Sequence, residues 1–219
     1  MTYELDHVFV CCAEGAPEAE RLVRLGLTEG SPNTHPGQGT ASRRFFFENA
    51  YLELFWVTDP REAQGETAAR TRLWPRWSQR VAGASPFAVI LRPADGDERD
   101  PPFASWAYHP PYLPAHLAID VAEATPLSEP AFFYIRFARP PELLHTQPRA
   151  HDLPVRRITA VEVGMPGGSA PCAAARACQE AGLVTFVDAA HHVMMVTFEE
   201  ARAGESADLR PELPLVLRW

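Results

Sequence analysis

The chain has 219 residues, with 28 acidic and 20 basic side chains, a formal net charge of −8 with histidines neutral, and 46% hydrophobic residues. A chain of that length buries roughly 70% of its unfolded surface as one domain, so it needs no disulfide or metal staple to fold. All 20 basic residues are arginine, which removes Schiff-base chemistry, a P-loop lysine and a lysine general base. Arginines scattered among acids also leave no electrostatic footprint for nucleic acid.

Tyr3 to Cys12 are rich in β-branched and aromatic residues without a breaker, and predict a strand buried on both faces. Pro17 then opens a helix with acids in its first turn and Gly26 as its stop. Residues 28–40 hold three glycines and two prolines and predict a loop, followed by strands over 42–48 and 50–58. A helix is expected over 60–82, kinked at Pro75, and a strand over 86–92. Proline-rich stretches at 93–114 and 139–154 predict irregular connections around strands at 115–121 and 131–138.

The last third repeats the opening order. A strand over Ile158–Met165, a helix opened by Pro171 and stopped by Gly182, and strands over 183–187, 192–198 and 212–219 align Leu5 with Ile158, Pro17 with Pro171, and Gly26-Leu27 with Gly182-Leu183. The expected organisation is one domain over 1–219: a first module beginning at 1–59, a middle segment at 60–156 that completes it and adds inserted material, and a second module at 157–219. The fold class is α+β, with two βαβββ-type modules forming a curved mixed sheet around a cavity.

Alternation along a strand places Leu5, His7 and Phe9 on one face, and Tyr51, Glu53 and Phe55 on one face of a later strand. A histidine and a glutamate on central strands are costly to bury unpaired, so a ligand, a metal or mutual pairing must explain them. Cys11, Cys12, Cys172 and Cys178 form no C-x-x-C pair, which fits a reducing compartment. An acid precedes residue 5, and no apolar run approaches the ~20 residues of a membrane span, so a cytoplasmic location is expected. His35 reads as a turn or rim residue. His109, His116, His145 and His151 read as surface or structural residues, and Cys11, Cys12, Met194 and Met195 as core.

The stretch LDHVFV, then a helix, then HPGQGTASRRFFFENAYLELFWVTDP resembles the first module of the glyoxalase-like, or vicinal oxygen chelate, proteins. The resemblance covers residues 4–60, is weaker over 157–198 and is absent between them. It implies that His7 and Glu53 stand at metal-ligand positions. The matching second-module positions hold Ala160 and Met194, so parity offers Glu162 and His192 as replacements. It further implies one divalent metal (Zn, Mn, Fe or Ni) or none, with Glu53 or Glu162 as the catalytic base. Without the metal, the same cavity is a binding pocket lined by His7, Tyr51, Phe55 and His192, with Arg43 as a further ligand-binding residue on an anionic group. A metal-assisted lyase, isomerase or dioxygenase and a non-catalytic small-molecule binding or sequestering protein are the two expectations. The partners expected are a small molecule and, through a sheet edge or Leu215-Val216-Leu217, a second copy of the chain; neither nucleic acid nor membrane is expected.

Overall fold

A computed structural model describes residues 2–94, 99–144, 146–168 and 170–219, so His145 lies outside the described residues. The large sheet contains β1 (Tyr3–Cys11), β2 (Asn33–His35), β3 (Thr40–Phe46), β4 (Tyr51–Val57), β5 (Phe87–Pro93), β6 (Ser105–Tyr108), β7 (Ile119–Ala122) and β8 (Ala131–Tyr134). Their spatial order is β2-β3-β4-β1-β5-β8-β7-β6. A second sheet joins β9 (Ile158–Met165), β10 (Thr185–Asp188), β11 (Val193–Phe198), β12 (Ser206–Asp208) and β13 (Leu215–Arg218) in the order β10-β9-β11-β13-β12. Among the described residues, no helix is long and apolar enough to cross a membrane.

The α+β curved mixed sheet is as expected, but its second half comes from the middle of the chain. β1 runs parallel to β4, which continues antiparallel to β3 and then β2. β5 likewise runs parallel to β8, which continues antiparallel to β7 and then β6. The two halves meet where β1 and β5 pair antiparallel, Val8 opposite Val89. The segment read as inserted material thus supplies the sheet's second half, with no helix among the described residues between β5 and β6.

The 158–218 unit, expected as the second module, builds the separate sheet. After β1 and helix α1 (Ala19–Leu25), the long glycine-containing connection carries the chain to the far edge, three strands from β1. After β9 and helix α4 (Ala173–Glu180), only four residues precede β10, which pairs directly and in parallel with β9. A short return allows only the neighbouring position, so the same order of elements yields a different topology.

The two sheets bury one core between them. The convex face of the large sheet contributes Val8, Val10, Leu52, Leu54, Phe87 and Val89, and the second sheet contributes Val161, Val163, Met194, Val196, Phe198, Leu215 and Leu217. Leu22 of α1 and Cys178 of α4 close its sides. The concave face carries a separate cluster that includes Phe9, Phe55, Ala88, Ile90, Ala131 and Phe133. Burial of both faces explains why β1 and β5 read as continuous apolar runs rather than alternating ones.

The helix expected over 60–82 is broken into α2 (Pro60–Ala63), a 3-10 turn at Ala69–Thr71 and α3 (Leu73–Ser78). Pro75 is not the break. It sits in the first turn of α3, where its missing N–H costs nothing, and the chain turns instead at Arg72 in the left-handed region (φ +60). α3 covers one end of the concave face with Leu73 and Trp77, and the Trp77 indole donates to the Cys12 carbonyl at 2.8 Å.

Candidate functional site

The concave face and its loops border an open cavity of about 160 Å³ lined by His7, His35, Gln38, Tyr51 and Glu53 at one end, with Phe9, Phe55, Ile90, Tyr108, Tyr112 and Phe133 among the residues completing it. Four of the expected residues, His7, Tyr51, Glu53 and Phe55, meet here. Their convergence follows from the parallel register of β1 and β4, in which His7 faces Tyr51 and Phe9 faces Glu53.

One local feature breaks the strict alternation. The β1–β5 register slips between Leu5 and His7, leaving Asp6 as an extra residue on β1. Leu5 therefore packs against the inter-sheet core rather than sharing the face of His7 and Phe9. A bulge re-aims neighbouring side chains. Here it lets the Asp6 carboxylate reach His7 Nδ1 at 2.6 Å, although residues adjacent on a regular strand face opposite ways. His7 Nε2 lies 3.4 Å from Glu53 Oε2 and 3.4 Å from the Tyr51 hydroxyl, and the Tyr51 ring stacks on the imidazole at a centroid distance of 4.1 Å. Behind Asp6, the buried Arg92 approaches its other oxygen at 3.5 Å and donates to Glu4 at 2.7 Å.

This network is a row of alternating charges, Arg92, Asp6, His7 and Glu53. Burial works against the His7 imidazolium, but hydrogen bonds and charges from Asp6 and Glu53 outweigh it and raise the His7 pKa. Burial alone would also raise the Glu53 carboxyl, yet the hydrogen bond and charge of His7 hold it down at about 2. The pair is therefore held as imidazolium and carboxylate. The His35 pKa is lowered by burial, against the opposing pull of Glu53. Its Nδ1 lies 2.9 Å from Thr40 Oγ1 and its Nε2 2.9 Å from Asn33 Nδ2, which assigns a neutral ring protonated at Nδ1.

Sequence reasoning left His35 at the rim, and missed Gln38 and Tyr112. Gln38 Nε2 donates to Thr40 Oγ1 at 2.7 Å, and the His35 and Tyr112 rings stand 4.7 Å apart. The available signal was the HPGQG turn itself. Gly39 has φ +69, and a Cβ there would collide with the carbonyl oxygen of Asp59, so glycine alone lets the turn close and carry His35 and Gln38 inward.

The other expected site residues lie elsewhere. Glu162 is on β9, between the core residues Val161 and Val163, so it points to the outer face of the second sheet, with the inter-sheet core between it and the cavity. His192 precedes β11 and hydrogen-bonds the Gly83 carbonyl at 3.2 Å. Arg43 faces the α1 side of β3, paired with Glu29 at 2.5 Å and Glu20 at 2.8 Å. Since it does not reach the cavity, Arg43→Gln is expected to leave the affinity of a cavity ligand within about twofold and to cost at most about 1 kcal/mol, the ion pair being part-exposed. Calorimetric titration and chemical denaturation check the two halves of that expectation. Burial pushes the Cys11 thiol up to about 12, in keeping with a core role.

The divalent ion implied by the resemblance requires more donors than the cavity offers. His7 and Glu53 already pair with each other, and both ring nitrogens of the nearby His35 are engaged by Thr40 and Asn33. The strands opposite, β5 and β8, present Ala88, Ile90, Ala131 and Phe133. No group of three or more His, Cys, Asp or Glu side chains among the described residues could hold a metal ion. The residues present do not fit a metal centre of three or more ligands.

No curated protein matches the chain. A hypothetical protein from Staphylococcus aureus has a similar structure, with a TM-score of 0.50, 11% identity and 99% of each chain covered, a likeness of fold alone. A mutant 4-hydroxymandelate synthase from Streptomyces coelicolor aligns with a TM-score of 0.43 and 14% identity, over 82% of this chain and 51% of that one. The glyoxalase-like domain family matches residues 5–181, running through the middle segment where the sequence alone showed no resemblance. With both halves of the large sheet inside that match, the chain belongs to the glyoxalase-like domain family.

Proposed function

We propose that the concave cavity binds a small single-ring organic molecule through one hydrogen-donating polar group. The observation that carries this reading is the segregation of its lining. His7, His35, Gln38, Tyr51 and Glu53 gather at one end, while Phe9, Phe55, Ile90 and Phe133 form an apolar wall. A few convergent polar groups in an otherwise apolar concavity are the usual form of a small-molecule site. About 160 Å³ is close to the roughly 150 Å³ apolar cavity that accepts benzene, so one ring with a small substituent fits.

Charge states favour binding over proton abstraction. A general base works best with a pKa near the operating pH. Glu53, held at about 2, is a weak base, and the two carboxylates beside His7 raise its pKa and favour its protonated form. The polar end therefore offers acceptors, the Glu53 carboxylate and the Gln38 amide oxygen, to a donating group on the ligand. Phenol and benzylamine are expected to bind at least about tenfold more tightly than benzoate in calorimetric titrations, because a carboxylate would sit unpaired beside Glu53. Glu53→Gln should narrow that preference. Benzoate binding as tightly as phenol, or an unchanged preference in Glu53→Gln, would sink the proposal.

A further inference from the structure

A second cleft, of about 420 Å³, lies between the 70–76 segment and the β6–β7–β8 end of the large sheet, with Arg70, Arg72 and Arg76 among its lining residues. Arg76 is 2% exposed, and its Nη1 donates to the carbonyls of Ser85 and Glu129, both at 2.7 Å. Its Nε has no partner. Among the described residues, no carboxylate lies within ion-pair distance of Arg72 or Arg76. The nearby Glu129 carboxylate is turned away, both oxygens accepting from the Cys172 amide at 3.0 Å.

A buried cation is ordinarily paired with an anion. Arg76 has none, and Arg72 adds like charge instead of relieving it. Burial depresses the Arg76 pKa to about 10, and the Arg72 charge pushes in the same direction. A second buried polar atom in the cleft, Thr125 Oγ1, also has no partner. Arg72 donates through Nη1 to the Thr125 carbonyl at 2.8 Å, which holds the two residues together. Arg70 lies over the Trp106 ring, its guanidinium carbon 4.2 Å from the centroid, and makes a loose 3.7 Å contact with Glu123. Arg72 (φ +60) and Ala124 (φ +54) both hold left-handed backbone beside the cleft, and non-glycine residues in that region concentrate at functional sites.

We propose that this cleft is an oxyanion site for a small organic phosphate monoester. Three guanidiniums against Glu123 leave two net positive charges, which match the charge of about −1.5 to −2 on a phosphate monoester at neutral pH. Arg72, Arg76 and the Thr125 hydroxyl donate to the phosphate oxygens. The Arg70–Trp106 stack, with room left in the cleft, receives the organic part. Nothing in the proposal depends on the concave cavity, whose lining residues are different except for the strands they share.

The test is titration of the full chain with phenyl phosphate, inorganic phosphate and phenol at low ionic strength, by calorimetry and by the indole N–H resonance of Trp106, assigned with Trp106→Phe. Saturable binding of phenyl phosphate is expected, tighter than that of inorganic phosphate, with the Trp106 resonance moving and phenol leaving it still. Arg72→Gln and Thr125→Val, neither of which removes the Arg76 contacts to Ser85 and Glu129, should each weaken phenyl phosphate, Arg72→Gln by at least about tenfold. Absence of saturation up to about 10 mM overturns the proposal. So does unchanged affinity in a folded Arg72→Gln, or binding that leaves the Trp106 resonance in place.

Discussion

His7→Ala is expected to lower the unfolding free energy by about 3–5 kcal/mol at pH 7, the cost of removing one partner from a buried charge pair. The side chains of Asp6, His7 and Glu53 are each less than a tenth exposed, so solvent cannot replace the imidazolium once it is gone. Two buried carboxylates would then lose their shared cation, with Arg92, at 3.5 Å from Asp6, left to offset them. Without His7, the largest influences that hold Glu53 down disappear, leaving His35 and Ser42 against the burial that drives its carboxyl upward.

The pH dependence follows from these directions. In the native protein, the depressed Glu53 pKa contributes stability that is present above its ordinary value of 4.5 and lost as pH falls toward 2. The raised His7 pKa contributes stability that is full below 6.5 and lost as pH climbs through the folded value. The pair therefore stabilises most between about 4.5 and 6.5. In His7→Ala the deficit should be large within that window and smaller at pH 4, where the native pair begins to lose its contribution and the unpaired Glu53 of the variant takes up a proton. Denaturant titrations of both proteins at pH 4, 5.5 and 7 read this directly. A deficit below about 1 kcal/mol at pH 5.5, or one larger at pH 4 than at pH 5.5, would contradict the charge assignment. Adding Glu53→Leu to His7→Ala should recover at least about 1 kcal/mol, because it removes the orphaned charge.

Phe198→Ala is expected to cost about 3–5 kcal/mol, the range for truncating a fully buried phenylalanine in a core that cannot collapse around the gap. Phe198 ends β11 on the second sheet, is fully buried, and meets the Phe47 ring from the large sheet at 4.6 Å. The same junction is tied by Asn49, whose amide donates to the Ile158 carbonyl at 2.8 Å and whose oxygen accepts from the Ile158 amide at 2.9 Å. Since both sheets bury one core, unfolding of the variant should remain a single transition, monitored by near- and far-ultraviolet dichroism. Two separated transitions would mean that the 158–218 unit is independent. The cavity lies on the opposite face of the large sheet, so folded Phe198→Ala should bind phenol nearly as the native protein does.

His7 and Glu53 were legible because each sits on a strand whose alternation is local: polar residues at inward positions of otherwise apolar runs mark a site whatever the partner strands are. Asp6 was not legible, because only the slipped pairing with β5 turns its carboxylate toward His7. Arg43 was misplaced for a related reason. Two adjacent arginines on β3 must face opposite ways, and which one lies on the α1 side depends on where the pairing with β4 begins; neither lines the cavity. Glu162 and His192 were assigned by parity on the assumption that their strands belonged to the cavity sheet. Parity specifies a face but cannot specify the sheet.

The sequence by itself determined the fold class, the positions of most strands and both long helices' stops at Gly26 and Gly182, and the inward pair on β1 and β4, because these follow from periodicity and turn chemistry over a few residues. Tertiary structure decided that 87–134 and not 158–218 completes the large sheet, that a bulge joins Asp6 to His7, and that Arg76 is buried without an anion. Each of those rests on pairing or burial between segments distant in the chain, where the length of a connection and the need to cover both faces of β1 and β5 select among partners that look equivalent in sequence.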